Sequence, residues 1–387
     1  MARTCKKRGG LKALADKAHA GMKLTVPLDK VEETRPLIEA GADELFCGVY
    51  HSAWFSSSGI PNVKPTSGAS LKSFSEVKQV VRMADEYRIP VFLTVNANYL
   101  FENAWTIVCK DIAKAVDAGV SGFIVSTIPL VKEIKSRYPG KRVILSTMSN
   151  CFNVETVSVF NDLGVDRVVF PRDLSLGELE CLCAGLREKS INLPLEFFVQ
   201  NLACRNVNGF CRYHGIVPPV KQGRAKNSLK RDFKEAVADY FPCLFDWYRA
   251  FVKKSADRVT WFLPCRASYK AVFTSRRDKS EEVIPRFNIG EPYKEICAAC
   301  GIFYFKKFGI EYLKIIGRGL PPKVKLMDIR FMAALRELVR GGTGDFDAFS
   351  MRARELYREV YGGACAPAQC HYPEFVAKRT EAGANGV

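Results

Sequence analysis

The sequence predicts an α/β fold, a TIM-type (β/α)8 barrel with a large cysteine-rich insertion between strands seven and eight. Three observations favour this fold: one helix–glycine–strand phrase recurs, the strands are near-continuous apolar runs, and eight such strands alternate with amphipathic segments. Continuous apolar strands are typical of a parallel sheet covered on both faces. Eight alternating βα units are typical of a closed barrel.

The recurring phrase reads EAGADELFCGV, DAGVSGFIVST, DLGVDRVVFPR and KFGIEYLKIIG. Its glycines fit the left-handed position that ends a helix; they are Gly41, Gly119, Gly164 and Gly309. The other strands are KLTVPL, PVFLTVN, RVILST and LPLEFFVQ. The eight predicted strands cover approximately residues 23–28, 44–49, 90–96, 122–127, 142–147, 167–172, 194–200 and 311–316.

Helix signals fill the gaps between these strands. Amphipathic segments cover residues 102–117 and 154–163, and KLMDIRFMAALRELVRG follows the eighth strand. Ser175 with Glu178 three residues later predicts a capping box that begins another helix. A doubly wound open sheet is the alternative fold, but the G-x-G-x-x-G turn expected after its first strand is missing.

The chain divides into three predicted parts. Residues 1–21 form a basic N-terminal extension, residues 22–340 form the barrel with the insertion at 201–310, and residues 341–387 form a C-terminal helix and tail. No apolar run is long enough to span a membrane, and the N-terminus lacks the apolar core of a secretory signal. We therefore expect a cytoplasmic protein whose 14 cysteines stay reduced.

Polar residues follow several predicted strands, where barrel enzymes place their active sites. The residues at this predicted mouth are Asn96, Ser146, Asn150, Arg172 and Arg318. Each could merely cap a helix or form hydrogen bonds with the backbone of a loop. Together they predict a mouth suited to an anionic or hydroxylated ligand. Arg172 and Asn150 are candidate catalytic residues. The candidate substrate-binding residues are Asn96, Ser146, Gln200 and Arg318.

The insertion is rich in cysteine. It holds Cys204, Cys211, Cys243, Cys265, Cys297 and Cys300. Thiolates gathered in one segment indicate zinc or an iron–sulfur cluster. Only Cys297 and Cys300 have the C-x2-C spacing usual for structural zinc, so the spacing favours a cluster. Cysteines that bind no metal are the remaining alternative.

The stretch LPLEFFVQNLACRNVNGFC carries a specific resemblance. Glu196, Phe198, Cys204, Gly209 and Cys211 are similar to the signature of peptidase family U32, the collagenase-like proteins. The segments LTVPLDKVEETRPLIEAGADELFCG, LSTMSNCFN, VVFPRDLSLGEL and KEICAACG also resemble the family, with Met148 replacing a glutamine. The resemblance covers approximately residues 22–340.

The resemblance implies oxygen-independent hydroxylation of an RNA base or a quinone ring, using a 4Fe-4S cluster. By position the ligands would be Cys204, Cys211, Cys243 and Cys297, with Cys265 or Cys300 as substitutes. It also implies a small organic oxygen donor such as prephenate, an electron donor whose identity the sequence does not give, and a protein partner of the same family.

RNA is the leading predicted substrate. The formal charge of +17 favours polyanionic partners, and Lys221, Arg224, Lys230 and Arg231 lie in the insertion, where they could contact phosphates or simply form a solvated loop. The alternatives are hydroxylation of a small aromatic or quinone substrate in a heteromeric complex, and a non-catalytic iron–sulfur scaffold or electron-transfer protein. A peptidase is disfavoured because neither H-E-x-x-H nor G-x-S-x-G occurs.

Glu196 has two interpretations, because a carboxylate inside a barrel must be paired or protonated. It could form a buried ion pair with Arg172 or Arg318, or it could be a catalytic group that transfers a proton. In the C-terminal tail, Cys365, Cys370 and His371 could form a second metal site, although they supply too few ligands by themselves.

Overall fold

The structure is a computed structural model. It describes residues 21–49, 69–97, 102–201, 268–274, 281–288, 296–342, 344–366, 369–372 and 375, and for 268–274 and 281–288 it gives secondary structure alone.

Eight parallel strands close into a barrel, as predicted. They are β1 (Lys23–Pro27), β2 (Glu44–Cys47), β3 (Val91–Val95), β4 (Gly122–Val125), β5 (Arg142–Leu145), β6 (Arg167–Val169), β7 (Leu195–Gln200) and, after two strands outside the barrel, β10 (Tyr312–Ile315). The order around the barrel is β1-β10-β7-β6-β5-β4-β3-β2. Closure between β1 and β10 excludes the open sheet.

The two additional strands lie between β7 and β10, within the predicted insertion. β8 (Ser268–Thr274) and β9 (Glu281–Asn288) pair antiparallel and form a separate two-stranded sheet. The predicted excursion between the seventh and eighth barrel strands is therefore confirmed.

Helices alternate with the barrel strands and continue beyond the last strand. In chain order they are α1 (Thr34–Glu39), α2 (Phe74–Asp85), α3 (Glu102–Asp117), α4 (Ile128–Arg137), α5 (Val154–Asp162), α6 (Leu176–Glu188), α7 (Ile302–Phe308), α8 (Pro322–Arg340) and α9 (Phe346–Tyr361). The predicted capping box is present, because Ser175 and Glu178 bond each other's backbone N–H groups. Gly309 ends α7 with φ 85°, a conformation that disfavours larger residues.

The core is continuous from the barrel to the covering helices, and β2, β3, β4 and β7 are buried along their whole length. Along β7, Glu196, Phe198 and Gln200 share one face, because side chains alternate along a strand. Glu196 joins a network that reaches β2, three strands away around the barrel, so this face points inward. None of the described helices is long and apolar enough to cross a membrane.

Candidate functional site

The carboxyl ends of the barrel strands bring polar side chains together. Asn96, just after β3, donates from Nδ2 to the Ser146 Oγ, just after β5, at 3.2 Å. Ser146 also accepts from the Met148 N–H and thereby caps a short 3-10 turn at Thr147–Ser149. Both predicted residues are buried at this mouth, and Ser146 has a local structural task as well.

Asn150 ends that turn in the left-handed conformation, with φ 56° and ψ 44°. Asparagine tolerates this region better than most residues do. Its Oδ1 atom is buried and has no hydrogen-bond partner. A buried acceptor without a partner carries a free-energy cost, so this amide is available to a donor group of a ligand.

Arg172 and His371 meet beside β6. The Arg172 guanidinium lies 5.4 Å from the centre of the Phe198 ring, and the His371 side chain is hydrogen-bonded to the Arg172 backbone. Burial lowers the pKa of His371, and the positive charge of Arg172 lowers it further against that hydrogen bond. At neutral pH, this side of the mouth therefore carries the positive charge of Arg172 and the neutral imidazole of His371.

Arg318 follows β10 and reaches across the mouth to β3. It is buried, and its Nη1 donates to the Thr94 Oγ1 at 3.2 Å. Burial lowers the pKa of Arg318 to about 10, against the opposing effects of Asp29 and Cys47. The guanidinium therefore remains charged at neutral pH, where it can bind an anionic group.

Asp29 supports the loop that carries Arg318. Its Oδ2 accepts from the Gly319 N–H and from the Lys325 Nζ, both at 2.6 Å, and Lys325 also donates to Glu33 at 2.8 Å. The Asp29 Oδ1 is buried without a partner. The buried Lys325 and its two carboxylates were missed in the sequence, although Lys325 and Asp328 both interrupt the apolar face of α8.

A second polar network links the end of β7 to α8 and α9. The Tyr361 hydroxyl donates to Asp328 at 2.6 Å and accepts from the Gln200 Nε2 at 3.3 Å. Asn201 donates to Asp328 at 2.9 Å. Burial raises the pKa of Tyr361, and Asp328 raises it further. Gln200, a predicted substrate-binding residue, therefore has a structural partner in α9.

Glu196 is paired, but not with the predicted partners. Its Oε1 accepts from the Lys314 Nζ at 2.7 Å and its Oε2 from the Arg167 Nη1 at 3.0 Å. Arg167 also pairs with Glu44 at 2.6 Å. The expectation of Arg172 or Arg318 was wrong, because both follow their strands at the mouth, whereas Glu196 is the second residue of β7.

These four charges fill the amino-terminal half of the barrel. The two carboxylates pair with two buried cations, the partly exposed Arg142 lies 3.7 Å from Glu44 as a third cation, and Glu196 is 0% exposed. Burial opposes the charge on both cations. The pKa of Lys314 is lowered in spite of Glu196, whereas Glu196 and Glu44 raise the pKa of Arg167. Gln200 is the fourth residue after Glu196, roughly 13 Å further along the strand.

Of the predicted cluster ligands, Cys297 lies in the described part of the chain, as does the substitute Cys300. Cys297 forms a bridge with Gln200 at the end of β7, so it stands at the mouth. The other predicted thiolate ligands, Cys204, Cys211, Cys243 and Cys265, lie outside the described residues. So do the predicted RNA contacts Lys221, Arg224, Lys230 and Arg231.

A model of peptidase family U32 matches residues 29–228, more than half of the 387-residue chain. The chain belongs to peptidase family U32. The resemblance seen in the sequence is therefore confirmed.

Relatives within the U32 proteins have different names. The tRNA hydroxylation protein P of Helicobacter pylori is 26% identical over 240 residues, which cover 62% of this chain and 50% of that protein. The tRNA hydroxylation protein P1 of Bacillus subtilis is 26% identical over 189 residues, covering 49% and 40%. An uncharacterized protease of Methanocaldococcus jannaschii is 26% identical over 195 residues, covering 49% and 43%. The chain spans half or less of the length of these relatives.

Among solved structures, a U32 peptidase aligns with a TM-score of 0.42 at 13% identity, covering 83% of this chain and 98% of that chain.

Proposed function

We propose that this protein is an iron–sulfur-dependent enzyme that hydroxylates a base in tRNA without using molecular oxygen. The observation that carries the proposal is the similarity of this chain to the tRNA hydroxylation proteins of Helicobacter pylori and Bacillus subtilis. The chain belongs to peptidase family U32, as these proteins do. The net charge of +17 supports a polyanionic substrate.

The donor chemistry near the end of β7 fits a cluster. Cys297 is bridged to Gln200 at the end of β7. Cys204 is the fourth residue after Gln200, so it lies within about 14 Å of Gln200 even if the chain between them is fully extended. The proposed ligand set is Cys204, Cys211, Cys243 and Cys297, with Cys265 or Cys300 as substitutes. When bound, the cluster supplies one-electron redox chemistry.

The described mouth residues bind and orient the substrate. The unpartnered Asn150 Oδ1 accepts from an N–H or O–H group, and such an acceptor suits the edge of an extruded base. Arg172 and Arg318 supply positive charge on two sides of the mouth, where they can hold phosphate or a carboxylate co-substrate.

The experiment compares modified nucleosides of tRNA from three strains: wild type, a deletion of this gene, and the deletion complemented with the protein. We expect one nucleoside to lose an oxygen atom in the deletion strain and to regain it on complementation, measured by liquid chromatography and mass spectrometry.

Two variants provide the chemical control. Cys204→Ser should abolish both complementation and the iron content of the anaerobically purified protein, because it removes a thiolate ligand. Cys181→Ser, the same change at an exposed cysteine of α6, should preserve both. Identical nucleoside profiles in the three strains, or an iron-free protein that still complements, would contradict the proposal.

A further inference from the structure

Two side-chain oxygens on neighbouring loops of the barrel mouth are buried and have no hydrogen-bond partner. They are the Thr127 Oγ1, in the loop after β4, and the Asn150 Oδ1, in the loop after β5. Nearly all buried polar atoms of a folded protein are hydrogen-bonded, and one that is not carries a free-energy cost. Two such atoms at the end where barrel enzymes bind their substrates indicate a ligand that supplies the missing groups.

Hydrogen bonds hold the two loops side by side. β4 and β5 are neighbours in the barrel, and the Ser149 Oγ donates to the Ser126 carbonyl at 2.9 Å. Thr127 and Asn150 directly follow these two serines, and consecutive Cα atoms are about 3.8 Å apart. The two unpartnered oxygens therefore belong to one part of the mouth.

The usual role of a threonine before a helix does not apply to Thr127. It stands at the N-cap position of α4, with φ −122° and ψ 145°, but its side chain accepts no backbone N–H there. In the other described α-helices with serine, asparagine or aspartate at the N-cap, the side chain does accept one; these residues are Ser73, Asn153, Ser175 and Asp345. Helix capping therefore does not explain the buried Thr127 hydroxyl.

The backbone of Asn150 does not explain its buried amide either. Its N–H donates to the Thr147 carbonyl at 3.4 Å, and its carbonyl accepts from the Phe152 N–H at 2.8 Å. The left-handed conformation at φ 56° suits asparagine, but glycine adopts it as readily. The conformation therefore does not require the side-chain oxygen, which is left for a ligand.

The two oxygens differ from the cations of the mouth in the groups that they can bind. The Asn150 Oδ1 only accepts, whereas the Thr127 hydroxyl both donates and accepts. Phosphodiester and carboxylate groups have no donor at neutral pH, so they suit Arg172 and Arg318 but not Asn150. A neutral edge with a donor beside an acceptor suits both oxygens, and the pairing edge of a nucleobase has this pattern.

We propose that Thr127 and Asn150 are specificity-determining residues that bind the pairing edge of the extruded base. The Thr127 hydroxyl donates to an acceptor of the base, and the Asn150 Oδ1 accepts from the neighbouring donor. The inference rests on the proposed function and assigns this part of the mouth to the base and not to the phosphates. The cost of burying the two oxygens is carried by the free protein and is relieved when the base binds.

This cost gives a test, because removal of an unpartnered buried hydroxyl should affect folding and binding differently. Thr127→Val replaces the hydroxyl with a methyl group of similar size. We expect the urea midpoint of the variant to equal or exceed that of the wild type, whereas the affinity for substrate falls. Thr127→Ser keeps a hydroxyl and should restore most of the affinity. Asn150→Gly removes the amide and still allows the left-handed backbone.

The binding assay uses end-labelled tRNA from the strain that lacks this gene and the full-length protein purified without oxygen. Fluorescence anisotropy gives Kd at several salt concentrations. Thr127→Val and Asn150→Gly should each raise Kd about fivefold. The slope of log Kd against log salt concentration should not change, because a contact to a base releases no counterions. Thr106→Val, the same change at an exposed threonine of α3, should alter neither Kd nor the urea midpoint.

A lower urea midpoint or an unchanged Kd for Thr127→Val would overturn the proposal, because the hydroxyl would then serve the fold. Weaker binding with a shallower salt slope would overturn it as well, since that result indicates a phosphate contact. An unchanged Kd for Asn150→Gly would remove the second contact and with it the two-point recognition. Failure of the proposed function would be seen in the wild type itself, as absent tRNA binding or an unchanged nucleoside profile, and would also overturn this inference.

Discussion

Glu196→Gln is the change that most directly tests the buried ion network. The substitution keeps the size of the side chain and removes its charge, leaving Arg167 and Lys314 with Glu44 as the remaining carboxylate of the network. Gln can still accept a hydrogen bond from Lys314, but the negative charge that faces both Lys314 and Arg167 is lost.

The magnitude follows from the distances. At 2.7 Å, the attraction between Lys314 and Glu196 is about 6 kcal/mol for an effective dielectric constant of 20. Removing the carboxylate also removes its desolvation penalty, which is several kcal/mol. We therefore expect a net loss of about 3 kcal/mol in the free energy of unfolding, near the lower end of the range for broken buried pairs.

The assay is urea unfolding at pH 7, followed by far-UV circular dichroism, for Glu196→Gln, Lys314→Met and the double variant. Because the two residues are in direct contact, the double variant should be more stable than the sum of the single losses predicts, by about 2 kcal/mol. As a control, Glu86→Gln breaks an exposed pair with Arg35 and should cost less than about 1 kcal/mol.

The same variants decide between the two interpretations of Glu196. If the side chain supports the barrel, the folded Glu196→Gln protein retains the proposed hydroxylation activity of the wild type, because Phe198 and about 13 Å of strand separate Glu196 from Gln200. A variant with unchanged stability, intact iron content and no hydroxylated product would refute the structural interpretation.

Two further changes test the mouth and a helix start. Tyr361→Phe removes the hydroxyl that joins Asp328 to Gln200 and should cost about 1–3 kcal/mol because buried polar groups lose a partner; equal urea midpoints for wild type and variant would contradict this. Ser175→Ala should cost about 1 kcal/mol at pH 7. The hydrogen bond with Ser175 lowers the pKa of Glu178 in the folded protein. The stabilisation from this hydrogen bond is therefore fully present at pH values above the pKa of Glu178 in the unfolded chain. It is lost as the pH falls through the pKa of Glu178 in the folded protein. The cost should therefore shrink below about pH 4.5, and a cost that is the same at pH 7 and pH 4 would refute the reciprocal cap.

The sequence predicted the barrel because its signals are local. Gly41, Gly119, Gly164 and Gly309 have positive φ values, as helix-ending glycines should, and the apolar runs between them became buried strands. The cap at Ser175 could also be predicted, because its partner lies three residues away. Asn96 and Ser146 were placed at the mouth by their positions after strands, since every parallel strand of a barrel ends at the same rim.

The partners of buried charges could not be predicted. Glu196 meets Lys314, which is 118 residues away, and Arg167 meets Glu44, which is 123 residues away. A sequence shows that a buried carboxylate needs a cation, but the choice among cations depends on strand register. Register places Glu196 beside Tyr312 and Val169, far below Arg172 and Arg318.

The cysteines show the same division. The sequence by itself determined the spacing of the thiols, and the spacing of Cys297 and Cys300 is typical of a metal-binding turn. Only the tertiary structure decided that Cys365 and Cys370 lie beside that turn. The physical reason is that the tail is positioned by a backbone bridge to Cys297 and by the burial of Tyr372, long-range contacts that leave no periodic pattern in the sequence.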